Sequence, residues 1–120
     1  MTDNAIIEIN KLIKRYKGSD SNAVDSLNLN IQKGEFYGLL GPNGAGKTTT
    51  ISMLCGLLSP TSGQIKISGL DINYHSQKAK SIIGVVPQEI ALFEDLTAKE
   101  NLRFFSFIHG MKKSNFIYFF

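Results

Sequence analysis

The sequence has little of what would tie it to an oxidising compartment or to the interior of a membrane. Its single cysteine, Cys55, cannot close a disulfide within the chain, and nothing at the N-terminus reads as an apolar leader, so a reducing, cytoplasmic setting is expected. Cys55 falls in an apolar stretch and is most simply a core residue. No apolar run reaches the ~18 residues that a membrane-spanning helix needs, so the chain is not expected to cross a bilayer by itself; attachment through a partner stays open. Charge of one sign is scarce too. A net charge of +3 with both signs interspersed is too mild to argue for nucleic acid, and no nucleic-acid partner is expected. Internal repeats are lacking. What is there is an ordinary globular composition, 42% apolar over 120 residues, which suits one small packed domain at most.

One stretch organises the rest. Gly41-Pro42-Asn43-Gly44-Ala45-Gly46-Lys47-Thr48-Thr49 satisfies G-x-x-x-x-G-K-[ST] at every fixed position. Glycines are needed there because successive backbone N–H groups can surround an anion only if the chain takes dihedrals and close approaches that side chains obstruct. The loop should open a helix, whose N-terminus adds unsatisfied donors and the positive end of the dipole. Lys47 is placed to reach the β- and γ-phosphates of a nucleotide, and the Thr48 hydroxyl to ligate the magnesium ion that bridges them. The flanks agree: residues 36–40 read as a buried strand leading in, and residues 48–58 as a mostly apolar helix leading out.

Elsewhere, Ile7 and Ile9 followed by Leu12-Ile13 predict a strand from Ala5 toward Tyr16 with a bend near Asn10-Lys11. Leu27, Leu29 and Ile31 alternate strictly with polar residues, the mark of an antiparallel strand with one wet face. After the first helix, residues 59–63 form a turn into a short strand over 64–68, with Ile65 and Ile67 buried. Residues 69–76 read as loop, 77–81 as a short polar helix, and the β-branched run 82–86, closed by Pro87, as a buried strand. Thr97-Ala98-Lys99-Glu100 has the form of a capping box and starts a helix to about His109-Gly110, with Leu102, Phe105 and Ile108 as its apolar stripe.

With these motifs in order, the sequence resembles the N-terminal half of the ATP-binding subunit of an ABC transporter. The resemblance rests on the loop, on Tyr16 ahead of it, and on the phrase Ala23-Val24-Asp25-Ser26-Leu27. Further support comes from the stretch from Gly56 to Gly63, and from Val86-Pro87-Gln88 followed by Leu96-Thr97-Ala98-Lys99-Glu100-Asn101-Leu102. It extends from about residue 6 to 111 and is most like bacterial exporter ATPases of the drug, antibiotic and sodium-extruding type. The fold it implies is α/β: a P-loop core with a partial parallel sheet and an N-terminal antiparallel β subdomain. It also implies ATP and magnesium as ligands, Tyr16 as the aromatic that stacks on adenine, and Gln88 as the glutamine that meets magnesium or a water. Asn43 to Gly46 would supply the backbone cradle and Thr49 a donor to the α-phosphate, with Lys47 and Gln88 the catalytic contributors. The implied partners are a transmembrane permease subunit and a second nucleotide-binding subunit in a head-to-tail dimer, at the cytoplasmic face of the membrane.

Other residues do not carry the family's remaining parts. Residues 58–64 superficially match its Leu-Ser-Gly-Gly-Gln signature but lack the paired glycines. His75 and His109 are out of place for its switch histidine. Asp71, Glu89, Glu94, Asp95 and Glu100 do not follow the apolar strand of a Walker B motif. The expectation is therefore nucleotide and magnesium binding without competent hydrolysis, and marginal stability in isolation. Residues 1–111 read as a partial nucleotide-binding domain and 112–120 as an aberrant aromatic tail, as in a gene fragment or shifted reading frame. A non-catalytic regulatory module and a soluble ABC-type ATPase stay open as alternatives.

Overall fold

The computed structural model describes residues 4–89 and 91–116, which fall into two units, one running to Ile83 and the other starting at Gly84. The first is built on an antiparallel four-stranded sheet in the order β2-β1-β3-β4. Its strands are β1 (Ala5–Lys14), β2 (Val24–Gln32), β3 (Ser62–Ile67) and β4 (Leu70–Asp71). The alternation seen in sequence sets the register. Ile9 of β1 lies opposite Leu29 of β2 and Ile65 of β3, while Ile7 lies opposite Ile31 and Ile67. Apolar side chains thus face apolar side chains across both ladders, each pair contributing roughly 0.2–1 kcal/mol.

The expected bend in β1 is an irregularity in both ladders. Lys11 takes φ 47°, and the register shifts between Ile9 and Leu12 against β2 and between Asn10 and Ile13 against β3. Strict alternation would put Leu12 on the face opposite Ile9; the extra residue at the bulge rephases the strand, and both side chains are buried together. Gly63 is required where β3 crosses this bulge. At φ 90° a Cβ on it would stand 2.3 Å from the Lys11 carbonyl oxygen.

Helix α1 (Lys47–Leu54) lays Thr50 and Met53 into the core that Ile9, Leu12, Val24, Ile65 and Ile67 form. It stops short of the expected Leu58 because Gly56 takes φ 66°, its N–H bonding Met53 O at 3.0 Å. Helix α2 (Ser76–Ser81) matches the expected polar helix and contributes Ala79 to the core. The loop expected from Gly69 is corrected in part. Ser68 and Gly69 both have positive φ, at 49° and 75°, so they make a two-residue primed turn and Leu70–Asp71 pairs back on β3. Gln64 Nε2 donates to Asp71 Oδ2 at 2.6 Å across that hairpin.

Two further expectations are overturned at the level of single elements. Residues 36–40 and 82–86 form no strand, and Phe36, Leu40 and Val86 are almost wholly exposed. The reason is that a β-run has no internal ladder: its N–H and C=O groups need a neighbouring strand, and none of the described strands pairs with either run.

The second unit has a different construction. Helix α3 (Ala98–Ile108) starts on the capping box, with Glu100 N donating to Thr97 Oγ1 at 3.3 Å and Thr97 N to Glu100 Oε2 at 2.8 Å. The stripe of Leu102, Phe105 and Ile108 is not its packed side: Leu102 and Ile108 are exposed. The buried residue is Asn101, beside a cluster in which Phe93 meets Phe104 edge-on at 4.9 Å and Phe105 at 6.4 Å. A short helix α4 (Lys113–Phe116) follows, and the rest of the aromatic tail, 117–120, lies outside the described residues.

Candidate functional site

The loop at 41–49 enters α1 with Gly46 at its N-cap, at φ 88° in the left-handed region. No other residue fits there. A Cβ on Gly46 would stand 2.3 Å from the Ala23 carbonyl oxygen and 3.2 Å from Val24 Cγ2, so the start of β2 presses directly on the loop. Because the cap is a glycine, no side chain accepts from the first-turn N–H groups, and no acidic residue stands in that turn. The first intrahelical bonds fall on Gly46 O, which accepts from Thr50 N and Thr50 Oγ1, both at 2.8 Å. The N–H groups of the first turn of α1 thus lack a side-chain acceptor and carry the positive end of the helix dipole.

Within the loop, Ala45 N donates to Pro42 O at 3.1 Å, which closes the turn over Asn43 and Gly44. Lys47 folds back so that its Nζ donates to the carbonyls of Gly41 and Pro42, the latter at 2.8 Å. The ammonium is therefore held against the start of the loop by the loop's own carbonyls. Thr48 is exposed, whereas Thr49 is half-buried and its Oγ1 lies 3.3 Å from the Tyr16 hydroxyl. The structure thus joins Tyr16 to the loop, from 33 positions away. A cavity of about 310 Å³ opens beside Gly46 and Lys47, lined also by Asn22, Asp25 and Leu40.

Tyr16 is carried by the end of β1, and that end is pinned to the turn after α1. Arg15 N donates to Thr61 Oγ1 at 2.9 Å, Thr61 N to Ile13 O at 2.8 Å, and Lys14 Nζ to Ser59 O at 2.7 Å. Lys14 Nζ also stands 5.5 Å from the centroid of the Tyr16 ring. Sequence reasoning missed Lys14, Ser59, Thr61, Thr50 and the Ala23 carbonyl as parts of this framework. Ala23, Ser59 and Thr61 had only their membership of the phrases around residues 23–27 and 56–63 as a signal, and Lys14 and Thr50 lie outside both phrases. Gln88 belongs to the second unit, where it is exposed on a bend after Pro87.

The family model for the ABC transporter matches residues 24–118. Among curated proteins, the chain is 46% identical over 107 residues to the probable multidrug ABC transporter ATP-binding protein YbhF of Escherichia coli, covering 89% of this chain and 18% of that one. It is 52% identical over 99 residues to the linearmycin resistance ATP-binding protein LnrL of Bacillus subtilis, covering 82% and 32% respectively. Among solved structures, cbiO1 from Clostridium perfringens, part of the ABC transporter complex cbiONQ, superimposes with a TM-score of 0.81 at 27% identity, over 95% of this chain and 47% of that one. An ATP-binding cassette solved as a dimer in a post-hydrolysis state with ADP and phosphate gives a TM-score of 0.72 at 30% identity, over 89% and 48%. The chain belongs to the ABC transporter family as part of its ATP-binding domain, and its fold is that of the family's P-loop ATPases. It spans 18% and 32% of the length of these curated relatives and just under half of these solved ones. Among the described residues no helix is long and apolar enough to cross a membrane.

Proposed function

We propose that this chain is a phosphate-gripping part of an exporter ATPase, and that it binds magnesium-ATP without hydrolysing it efficiently. The observation that carries the reading is the Gly46-capped, acid-free start of α1 with the Lys47 ammonium held over the same loop. These features fit a nucleotide's phosphates: the N–H donors are open, the glycine leaves no room for a side chain, and the cation is close by. Within the loop Gly41 to Thr49, Asn43 to Gly46 would supply the backbone cradle for the phosphates, Lys47 would hold the β- and γ-groups, Thr49 the α-group, and the ring of Tyr16 would stack on the base. Among the described residues no group of three His, Cys, Asp or Glu side chains could hold a metal alone, so magnesium would need phosphate oxygens beside Thr48 and Gln88. When bound, the ion supplies charge neutralisation between phosphate groups.

Hydrolysis asks for more than this set. A water must be positioned and deprotonated, and no described carboxylate follows an apolar strand in the manner of a catalytic glutamate. In this reading residues 1–111 form the partial nucleotide-binding domain and 112–120 an aberrant aromatic tail. A transmembrane permease and a second nucleotide-binding subunit, at the cytoplasmic face, complete the working assembly, in which hydrolysis drives export. Calorimetric titration of the 120-residue chain with magnesium-ATP should show binding that Lys47→Ala weakens about 10- to 100-fold, the range for charge-assisted hydrogen bonds. Phosphate release should stay at background. Turnover abolished by Lys47→Ala would overturn the non-hydrolytic part of the reading.

A further inference from the structure

We infer that Lys14 is a positioning residue for the nucleotide base, acting through Tyr16; the inference rests on the reading above, in which Tyr16 stacks on that base. Tyr16 leaves 46% of its surface exposed, so a ring face is open for stacking only if something else fixes the ring's direction. Two contacts do so, one at the hydroxyl and one over a face of the ring. Its hydroxyl meets Thr49 Oγ1 on α1 at 3.3 Å, and Lys14 Nζ stands 5.5 Å from its centroid, within the range of a cation–π interaction. Lys14 is not free to wander, because the same ammonium donates to Ser59 O at 2.7 Å. Ser59 in turn lies in the turn that follows α1, two residues before Thr61, whose hydroxyl and N–H hold Arg15 and Ile13.

These contacts close a circuit. The helix that begins at the phosphate loop ends in a turn that fixes Lys14. Lys14 orients Tyr16, and Tyr16 returns to the first turn of the helix at Thr49. Two effects follow for a base on the ring. The ring is held at a fixed place relative to the phosphate loop, which lowers the ordering cost of stacking. A cation against the ring also draws on its π density, making it a better partner for an electron-rich purine. Lys14 therefore serves recognition of the base, and the phosphates are held without it.

The test separates base from phosphates by titrating the full 120-residue chain with magnesium-ATP and, independently, with magnesium tripolyphosphate, which has no base. Lys14→Met, which keeps the aliphatic stem, should weaken ATP binding about two- to five-fold, the effect of losing one exposed cation–π contact, and leave tripolyphosphate binding unchanged. In a Tyr16→Leu background the same substitution should have no further effect, because its route is gone. An unchanged ATP affinity in Lys14→Met, an equal loss in the Tyr16→Leu background, or a parallel loss of tripolyphosphate binding would each overturn the proposal. Retained tripolyphosphate binding certifies that the variant's loop is folded. If the unsubstituted chain binds neither ligand, the nucleotide-site reading itself fails; if it binds both and Lys14→Met changes nothing, only the role of Lys14 fails.

Discussion

The two units of this chain solve the same problem with different means. Up to Ile83, order comes from apolar side chains meeting across a sheet: Leu12, Met53 and Ile65 are completely buried, and the start of β2 in that sheet presses on the loop at Gly46. From Gly84 onward, the buried residue among those described is a polar one. Asn101 accepts from Phe93 N at 2.9 Å and donates through Nδ2 to the carbonyls of Phe93, Leu96 and Thr97 at 3.0–3.1 Å. One amide thus ties a loop of five residues to the start of α3, with three phenylalanines beside it. The comparison teaches that the glycine loop is ordered from outside as well as within: its own bonds close the turn, and the start of β2 fixes Gly46 from the sheet side.

If that contrast is right, the largest effect should come from the sheet core. Leu12→Ala removes a fully buried side chain that the β1 bulge exists to place, and should cost about 2–5 kcal/mol. Hydrogen exchange at the β1 and β3 amides should lose most of its protection. Leu40→Ala, equally apolar but 92% exposed, should stay within about 0.5 kcal/mol. Similar losses in the two variants would show that the run at 36–40 is packed after all.

The buried amide of the second unit should rank next. Asn101→Leu leaves the Phe93 N–H and the Leu96 carbonyl without their Asn101 partner, while the Phe93 carbonyl keeps the Leu96 N–H, and should cost about 1–3 kcal/mol. The damage should appear as faster amide exchange at residues 93–97, with the β1 and β3 amides unchanged. Exchange that accelerates equally in both units would sink the idea that Asn101 acts locally.

How far the sequence could be read follows the same division. The strands β1, β2 and β3 were legible because their periodicity coincides with partners that exist: Ile7, Ile9, Leu29, Ile65 and Ile67 meet one another. The runs at 36–40 and 82–86 carry as strong a strand signal and form none, because periodicity reports what a segment could bury and says nothing of whether a neighbour is present. The loop at 41–49 was legible as a turn opening a helix, with Gly44 and Gly46 left-handed where its pattern sets glycines. Lys14 and Asn101 were not. Each acts through geometry with residues distant in sequence, Lys14 on Ser59 and Asn101 on Phe93, and a lysine in a strand or an asparagine in a helix looks ordinary without that geometry.

The smallest effect should be a pH dependence confined to the second unit. Glu100 accepts from Thr97 Oγ1 at 2.7 Å and from Thr97 N at 2.8 Å, and these bonds hold its carboxyl below the usual carboxylate value of 4.5. The sign is that of a depressed acid. Its contribution to the start of α3 is fully present above the ordinary value, and it is lost as pH falls through the lowered folded-state value, where protonation removes the acceptor. Lowering the pH from neutral should therefore leave the first turn of α3 protected until the carboxylate range and loosen it below. Glu100→Gln should abolish that step while weakening the cap at all pH values. Because the carboxyl is fully exposed, solvent screens the pair and the loss should register only in the local amides from Thr97 to Asn101. A step of the same size in the β1 amides would mean that the two units share one cooperative unfolding event, and the contrast between a sheet-built and an amide-tied unit would collapse.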